Sequence, residues 1–325
     1  MDNNAKLRPL YLAKILYERT DEDHYLTTMQ LAQILEEEYW IPAHRQTIKT
    51  DIELLQQFGM DIQEVKSTQN RYNLISRQFE IAELKLLIDA VQSSKFISKE
   101  RSEQMVSKIV TLAGQHKAEE LKRNASVEGR VKSENRQDLL IVDAINEAIN
   151  ARKTIAFQYF AYNIRKQKKL RHDGERYILS PYRLIWNGDY YYVLGYSDKH
   201  QAIGSFRVDR ISTRPDILSE DAVPVPEDFD VDDFLATTFR MYGSECQEVE
   251  LICDNSVIDA IIDRFGTDVT IYACDMSTFR VIVRVAISHI LFSWIFGFGG
   301  KVRIKEPEKI KTDYKEMVSR ALSSL

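Results

Sequence analysis

Residues 177–196 read Tyr-Ile-Leu-Ser-Pro-Tyr-Arg-Leu-Ile-Trp-Asn-Gly-Asp-Tyr-Tyr-Tyr-Val-Leu-Gly-Tyr. Two runs rich in aromatic and branched side chains flank Asn187-Gly188, and an Asn-Gly pair between such runs is a strong signal for a β-hairpin. Further strand-like runs occupy residues 154–160 and 203–208. Together these runs predict a small, strongly bent antiparallel sheet or barrel.

Tyrosines and arginines are interleaved along these runs. They are Tyr182, Tyr190, Tyr191, Tyr192, Tyr196, Arg183, Arg207 and Arg210. Bases stack on aromatic rings and phosphates accept charged hydrogen bonds from guanidinium groups, so the pattern indicates a site for a nucleotide or a short single strand. The alternative is a tyrosine-rich core, with every second side chain pointing inward and the arginine stems lying along it.

Charge is distributed in blocks, although the net charge of the 325 residues is only -5. Residues 151–215 hold 13 Lys and Arg against 5 Asp and Glu, whereas residues 216–245 hold 9 acids and one base. The basic block is dense enough to bind an anion, and the acidic block, which contains two prolines, is predicted to be a linker. Alternatively, both blocks are solvated faces that partly neutralise each other across an interface.

The first 78 residues predict three helices and a hairpin. Apolar side chains recur at helical spacing in three segments, residues 7–17, 29–35 and 48–55. Thr27 or Thr28 can cap the second helix. Two short alternating runs follow, at residues 60–66 and 71–75. This order is typical of a winged helix-turn-helix, in which the third helix lies in the major groove of DNA.

The polar face of the third predicted helix suits duplex DNA, because Arg and Gln read base edges while Lys and hydroxyl groups contact phosphates. The candidate DNA-binding residues are Arg45, Gln46, Thr47, Lys49 and Thr50 on that helix, with Lys66 and Arg71 on the hairpin. The alternative is an ordinary solvated helix face. Residues 1–78 hold 9 basic and 12 acidic side chains, so strong non-specific DNA binding is not expected.

The remaining segments are predicted to be helical or mixed. Residues 79–122 carry two apolar stripes at helical spacing, which predict connecting helices whose stripes form either an intramolecular core or a dimer seam. Residues 245–325 alternate strand and helix patterns in a ferredoxin-like order. We expect this C-terminal region to serve in dimerisation or gating.

Searches for catalytic and metal-binding motifs are negative. The six histidines lack metal-ligand spacing, and no G-x-S-x-G or complete phosphate-loop motif occurs. Three cysteines, Cys246, Cys253 and Cys274, match neither a metal knuckle nor a disulfide framework. No apolar run is long enough to span a membrane, and no signal segment is present. We expect a cytoplasmic protein that is not an enzyme and has no metal or other cofactor.

Three motifs in this order resemble the WYL-domain family of bacterial transcriptional regulators. They are the helix run Thr47-Ile-Lys-Thr-Asp-Ile52, then residues 180–211 with the runs Ser180-Pro-Tyr-Arg-Leu184 and Phe206-Arg-Val-Asp-Arg-Ile211, and then the tail at residues 294–307. The triplet that names the family is Tyr191-Tyr192-Val193 here, and Thr50 stands where the family's recognition helix has Arg. The resemblance covers nearly the whole chain.

The resemblance implies an α+β, multidomain chain. Its expected parts are a winged helix-turn-helix at 1–76, a helical linker at 77–135, an Sm-like β-barrel at 136–215 (the WYL domain), an acidic linker at 216–244 and a ferredoxin-like α+β extension domain at 245–325. Carried over to this sequence, the ligand pocket consists of Tyr182, Arg183, Tyr192, Ser205, Arg207 and Arg210. Asp209, between two of these arginines, either pairs with one of them or leaves both free.

The expected function is a homodimeric regulator. Its winged helices bind a double-stranded operator, and a nucleotide or nucleic-acid-like effector at the WYL pocket changes the spacing of the two DNA-binding heads. The alternative is a nucleic-acid-responsive accessory or effector protein, for example of phage defence. That protein binds single strands through the WYL domain and uses the winged helix for protein interaction. A nucleotide-processing enzyme ranks third.

Overall fold

A computed structural model describes residues 3–123, 132, 137–227, 229–230, 234 and 246–324. The described residues are a mixture of helices and antiparallel sheets. They divide into two compact units, one ending at residue 136 and the other beginning at residue 137. Across the described ranges, no helix combines the length and the apolar character needed to cross a membrane.

The first unit begins with helices and a small sheet. Its helices are α1 (Asn3–Arg19), α2 (Thr28–Tyr39) and α3 (Arg45–Gln57). Its strands are β1 (Leu26–Thr27), β2 (Ile62–Val65) and β3 (Arg71–Leu74), which pair antiparallel in the order β1-β3-β2. The helices and the β2–β3 hairpin occur where the sequence predicts them.

Helix α2 begins and ends at local signals. Thr27 caps it, since its Oγ1 accepts a hydrogen bond from the Gln30 backbone N–H at 3.2 Å while the Gln30 side chain accepts one from the Thr27 N–H at 2.8 Å. The cap predicted at Thr27 or Thr28 is therefore Thr27. Trp40, in the left-handed conformation with φ 53°, ends the helix.

The helices of this unit share one core. Its buried side chains include Leu12, Leu16, Leu31, Leu35, Ile48, Ile52 and Tyr72. An ion pair also joins α1 to α3: Arg8 Nε lies 2.5 Å from Oδ2 of Asp51, whose side chain is buried. Because the Asp51 carboxylate is removed from water, loss of Arg8 would leave a buried charge without its partner and would destabilise the packing of α3 on α1.

Three further helices complete the first unit: α4 (Ile81–Ser93), α5 (Lys99–Thr111) and α6 (Gln115–Arg123). They bury Leu84, Ile88, Val110, Ala113 and Leu121 against each other. The apolar stripe predicted on α4 therefore forms an intramolecular core at Leu84 and Ile88, while Leu87 on its margin is 41% exposed. Of the two alternatives for this stripe, an intramolecular core or a dimer seam, the intramolecular core explains why Leu84 and Ile88 are buried.

The second unit begins with α7 (Asp138–Ala151) and a sheet. The strands of this sheet are β4 (Lys153–Phe157), β7 (Tyr177–Asn187), β8 (Tyr190–Ser197), β9 (Ala202–Arg207) and β10 (Asp216–Asp221), with β5 (Phe160–Tyr162) and β6 (Lys168–Leu170) forming a separate two-stranded sheet. The described strands pair antiparallel in the order β10-β4-β7-β8-β9.

Three details differ from the sequence expectation. The single run expected at residues 154–160 is divided between β4 and β5, which belong to different sheets. The loop between β7 and β8 is Gly188-Asp189, because Asn187 already pairs with Tyr190. Residues 216–221, expected as the start of the acidic linker, form β10 and pair with β4. The remainder of the expected linker lies largely outside the described residues.

The C-terminal elements of the second unit form another sheet covered by helices. They are β11 (Cys246–Asp254), α8 (Ile258–Phe265), β12 (Ile271–Ala273), β13 (Thr278–Ala286), α9 (His289–Phe296), β14 (Val302–Glu306) and α10 (Glu308–Ser323). The strands pair antiparallel in the order β12-β13-β11-β14. One face of the sheet is buried, and Leu251, Val281, Ile261, Leu291 and Ile310 are central to this core.

Candidate nucleic-acid interfaces

Helix α3 turns one face to the core and the opposite face to solvent. Ile48, Asp51, Ile52 and Leu55 are buried on the inner side. Of the five candidate DNA-binding residues on this helix, Arg45, Gln46 and Thr50 are exposed, while Thr47 and Lys49 are half-buried. The polar face is therefore open to a partner, as direct reading of a base edge requires.

The hairpin β2–β3 contacts the start of α3. Arg45 Nη2 donates a hydrogen bond to the carbonyl oxygen of Thr68 in the turn, at 3.4 Å. Lys66 and Arg71 are both exposed, and the Arg71 guanidinium lies 4.3 Å from the centroid of the Tyr25 ring. The first candidate site thus combines α3 with the turn and strands of the hairpin in one unit.

Acidic groups lie in the same unit. Glu36, Glu37 and Glu38 are exposed at the end of α2. Arg19 binds Glu38 through two hydrogen bonds of 2.8 and 2.5 Å, and the bond from Arg19 lowers the pKa of that carboxyl. The local positive charge of this unit is accordingly small.

The predicted ligand residues belong to the sheet of the second unit. In the register of β7, β8 and β9, Arg183 lies opposite Leu194, which lies opposite Ser205. Tyr192 lies opposite Arg207 on the next pair along the same face. Strand alternation therefore places four predicted residues, Arg183, Tyr192, Ser205 and Arg207, on one face, which we call the ligand face.

Arg207 is held firmly on the ligand face. Its Nε and Nη2 donate hydrogen bonds to the two carboxylate oxygens of Asp209, at 3.0 and 2.7 Å, and its guanidinium lies 3.4 Å from the centroid of the Tyr190 ring. Burial lowers the pKa of Arg207, but the bonds and charge of Asp209 outweigh burial and raise it. Of the alternatives for Asp209, the structure has the bidentate pair with Arg207.

The other two predicted ligand residues, Tyr182 and Arg210, make further contacts of their own. Tyr182 occupies the bulge between Pro181 and Arg183, and its hydroxyl donates a hydrogen bond to the carbonyl oxygen of Pro224 at 3.1 Å. The Arg210 guanidinium stacks on the small β5–β6 sheet, 4.7 Å from the centroid of the Tyr162 ring. Arg210 Nε also lies 4.0 Å from Oδ2 of Asp209, the carboxylate that binds Arg207, so Arg210 borders the ligand face.

Two residues that the sequence reasoning did not select support this face. A Cβ on Gly195 would lie 2.3 Å from the carbonyl oxygen of Ser180, so only glycine permits the close approach of β8 to β7. Tyr159 is half-buried, and its hydroxyl accepts a hydrogen bond from the Arg207 backbone N–H at 3.1 Å; desolvation raises the pKa of Tyr159 to about 12. Neither role has a local sequence signal, because both depend on a distant segment.

Part of the acidic segment covers the ligand face. Phe229 and Phe234 pack against Ile185 and Leu194, which are buried, together with Tyr192. The Val223 backbone N–H also donates a hydrogen bond to Ser180 Oγ at 3.0 Å. The centre of the face is therefore occupied by aromatic side chains of the chain itself.

The tyrosine core that was considered as an alternative is not observed as such. Tyr182, Tyr190, Tyr191, Tyr192 and Tyr196 are all half-buried, so none of them is fully buried as that alternative requires of every second ring. The buried side chains of this sheet are mainly aliphatic, including Ile155, Leu179, Val193 and Leu194. Tyr190 lies against the Arg207 guanidinium and Tyr191 packs edge-to-face on Trp186 at 5.0 Å, so these rings already have partners in the folded chain.

Residues 141–214 match the family model of the WYL domain. The chain therefore contains a WYL domain, which the sequence motifs predict. The match includes most of α7, the strands that carry the ligand face, and the segment between β5 and β7. No curated protein matches this chain.

Two solved structures are similar to the chain at low sequence identity. Proteasome accessory factor B/C (PafBC) of Arthrobacter aurescens is 16% identical, with a TM-score of 0.29 over 95% of this chain and 45% of that chain. A CRISPR Cas-related protein is 15% identical, with a TM-score of 0.38 over 99% of this chain and 84% of that chain. The chain thus spans less than half the length of the PafBC chain.

Proposed function

We propose that this chain is a ligand-responsive, DNA-binding transcriptional regulator of the WYL type. In this proposal the first unit contains a winged helix-turn-helix and a helical linker, and the second contains an Sm-like WYL barrel and a ferredoxin-like C-terminal domain. The strand order β12-β13-β11-β14 and the helix-rich first unit support these assignments. A cytoplasmic homodimer without enzymatic activity is part of the same proposal.

The observation that carries the proposal is the polar face of α3, open to solvent and contacted by the wing. Arg45, Gln46 and Thr50 are exposed on it, and Arg45 reaches the hairpin turn at Thr68. A helix of this kind enters a major groove, where Arg reads guanine and Gln reads adenine, while Lys66 and Arg71 on the wing contact phosphates.

The WYL domain supplies the sensing part of the proposal. Its ligand face combines an oriented arginine, Arg207, with half-buried Tyr190 and Tyr192. Such a surface suits a phosphate beside a base, as in a nucleotide or a nucleic-acid strand. The effector would act by binding one arrangement of the dimer more tightly than another.

Salt-dependent duplex binding tests the DNA-reading part. The intact protein and the variant Arg45→Ala/Lys49→Ala are titrated against labelled duplex in the presence of nucleotide mixtures. Each phosphate contact contributes about -0.9 to the slope of log affinity against log salt, so the wild type should have the steeper slope. The control Lys99→Ala/Lys108→Ala removes the same charge from exposed positions of α5 and should behave as the wild type.

A second candidate function is favoured by the acidic character of the first unit. Residues 1–78 hold more acidic than basic side chains, and Glu36 and Glu37 are exposed. In this candidate the chain is a nucleic-acid-responsive accessory protein that binds single strands through the WYL domain and contacts a protein through its first unit. Weak duplex binding whose affinity is the same in the wild type and in Arg45→Ala/Lys49→Ala would favour this candidate.

A further inference from the structure

Two histidines from distant parts of the sequence stack on each other in the first unit. His24 belongs to the loop between α1 and β1, and His116 belongs to the first turn of α6. Their rings are parallel within 7°, and the ring centroids are 3.8 Å apart. This stack, which we call the His24–His116 contact, joins the α1–β1 loop to a helix that follows the small sheet.

A carboxylate holds the His24 side of the contact. Asp21 Oδ1 lies 2.7 Å from Nδ1 of His24, and it also accepts hydrogen bonds from the backbone N–H groups of Asp23 at 2.9 Å and His24 at 3.0 Å. Because an ionised carboxylate only accepts hydrogen bonds, Nδ1 of His24 donates the proton between the two side chains. Burial raises the pKa of Asp21, but the hydrogen bonds from His24 and Asp23 outweigh burial and lower it. Asp21 therefore stays charged throughout the pH range in which histidines titrate.

The His116 side of the contact has no ion pair among the described residues. Asp23, in the same loop as His24, pairs instead with Lys117 of α6 at 3.4 Å. The other charged side chains on the loop, on α6 near the contact and on the segment after β3 are Glu22, Glu119, Glu120 and Arg77. A proton on His24 is shared with Asp21, whereas a proton on His116 has no carboxylate in contact with it.

Protonation changes the energy of this stack. Histidine is the side chain that ordinarily gains or loses its charge between about pH 5 and 8. When one ring is charged, that charge can pair with Asp21. When both rings are charged, two like charges lie one ring spacing apart, and their repulsion in water at about 4 Å weakens a contact about fivefold. The contact is therefore favourable at neutral pH and becomes less so in mild acid.

The contact belongs to the junction between the end of α1 and the turn before α6. The Tyr17 hydroxyl donates a hydrogen bond to the carbonyl oxygen of Leu112 at 3.2 Å, and Arg77 donates to the carbonyl oxygens of Tyr17 and Thr20. Only three of the six histidines fall within residues 1–136, and the third, His44, is exposed at the start of α3. The stacked pair is accordingly where mild acid acts on this junction.

We propose that the His24–His116 contact is a pH-sensitive junction, and that the first turn of α6 separates from the α1–β1 loop when both rings are protonated. This inference does not depend on the proposed function, because it concerns contacts within the first unit alone. Neither buried cluster of this unit includes a histidine among its described residues, so both cores should persist when the contact opens.

Hydrogen exchange of the full chain, followed by mass spectrometry at about pH 7.5 and about pH 5.5, tests the inference across the range of histidine titration. The amides of residues 21–24 and 118–121 are compared as protection factors, which correct for the effect of pH on the exchange chemistry. These segments include the hydrogen bonds from the Asp21 N–H to the His24 carbonyl oxygen and from the Ala118 N–H to the Gly114 carbonyl oxygen.

Three variants separate charge from packing. His116→Phe keeps a flat ring against His24 but cannot gain a charge, and His116→Ala removes the ring. The control His44→Gln removes the remaining histidine of the unit from an exposed position outside the contact.

The wild type should lose about fivefold of its protection in both segments between the higher and the lower pH. His116→Phe should keep its protection at the lower pH, because a charged imidazole over an uncharged aromatic ring is attracted to it. His116→Ala should have reduced protection at both pH values, and His44→Gln should behave as the wild type.

Three results would overturn the inference. They are equal protection of the wild type at the two pH values, a loss of protection in His116→Phe as large as that of the wild type, and disappearance of the pH effect in His44→Gln. The second result would mean that the charge of His116 is irrelevant, and the third would assign the effect to the histidine at the start of α3.

Discussion

At the scale of single residues, Arg207 is the most constrained group of the ligand face. Asp209 fixes its guanidinium from one side and the Tyr190 ring lies against it at 3.4 Å. Because this arginine is already held in one conformation, it loses little conformational entropy when it binds a phosphate, and this favours binding. The sequence predicts Arg207 as a ligand residue and Asp209 as its neighbour. It does not predict which of the two arginines Asp209 binds, because the direction of a side chain depends on the tertiary fold.

Replacement of Arg207 tests whether the proposed ligand sensing can be separated from the proposed DNA binding. We predict that Arg207→Ala weakens dinucleotide binding at least tenfold, because about 1.5–3 kcal/mol is typical of a hydrogen bond to a charged group. Duplex binding in the absence of effector should remain. Titration of the two probes by anisotropy checks this, with Arg214→Ala, an exposed arginine paired with Glu147 at 3.3 Å, as the control. Loss of duplex binding by a still-folded Arg207→Ala protein would contradict the assignment.

Gly114 is a second residue whose role is specific. Arg77 donates hydrogen bonds to the carbonyl oxygens of Tyr17 at 2.6 Å and Thr20 at 2.7 Å, at the end of α1. A Cβ on Gly114 would lie 2.5 Å from Arg77 Nη2, and Gly114 has φ +77°. Sequence periodicity predicts α1. It does not predict the contact between the end of α1, Arg77 and Gly114, because these three parts are far apart along the chain.

We predict that Gly114→Ala destabilises the first unit by more than Gly59→Ala. Both changes place a side chain at positive φ, which costs about 1–2 kcal/mol, but only Gly114→Ala also displaces Arg77, since nothing lies within 4 Å of a Cβ on Gly59. Hydrogen exchange of the amides at the end of α1 measures the difference. Equal protection of these amides from exchange in the two variants would contradict this prediction, because it would mean that Arg77 can move without a loss of stability.

At the scale of elements, the sequence predicts those whose signals are local. Helix α2 has its cap at Thr27, and α3 has one continuous buried stripe of Ile48, Ile52 and Leu55. Strand β10 escaped prediction because its residues 216–221 are partly acidic, and acidic side chains are uncommon in strands. Two of its acids form ion pairs: Asp216 pairs with Arg176, and Asp221 Oδ1 lies 2.8 Å from Lys153 Nζ on β4.

The cover of the ligand face is likewise a long-range feature. Phe229 and Phe234 belong to an acidic run that reads as a linker, and only the folded chain places them on Ile185 and Leu194. An aromatic side chain that occupies a surface suited to bases competes with those bases. The ligand face of the free protein is therefore partly filled.

We predict that Phe229→Ala/Phe234→Ala raises affinity for a single-stranded oligonucleotide several-fold, because the rings no longer have to be displaced before bases stack. Anisotropy titration of the full chain measures this. Val223→Ala/Val225→Ala removes two exposed apolar side chains from the same segment and serves as the control. Unchanged or weaker binding by the phenylalanine variant would mean that these rings support the ligand face rather than obstruct it.

At the scale of the whole molecule, two compact units carry the two proposed activities. The first contains α3 and the β2–β3 hairpin, and the second contains the WYL domain at residues 141–214. A regulator of this design requires that ligand binding to one unit alter DNA binding by the other, and the coupling is reciprocal. Duplex DNA should therefore change the affinity for an oligonucleotide by the same factor as the oligonucleotide changes the affinity for DNA.

The expected oligomeric state also belongs to the scale of the whole molecule. We predict a homodimer in solution, because two winged helices related by a two-fold axis read an inverted repeat with half-sites about 34–36 Å, or a multiple of that distance, apart. Sedimentation equilibrium, which gives mass without a shape assumption, checks this prediction. A chain that remains monomeric with and without its selected duplex would contradict it.

Selection from a random duplex library tests the central claim most directly. The wild type and Arg45→Ala/Lys49→Ala are selected in parallel, each with and without single-stranded oligonucleotide, so that an effector requirement is covered. The account predicts that the wild type enriches an inverted repeat and that the variant does not. Absence of any enriched sequence in all conditions, with both proteins behaving alike, would contradict the claim that this chain reads DNA through α3.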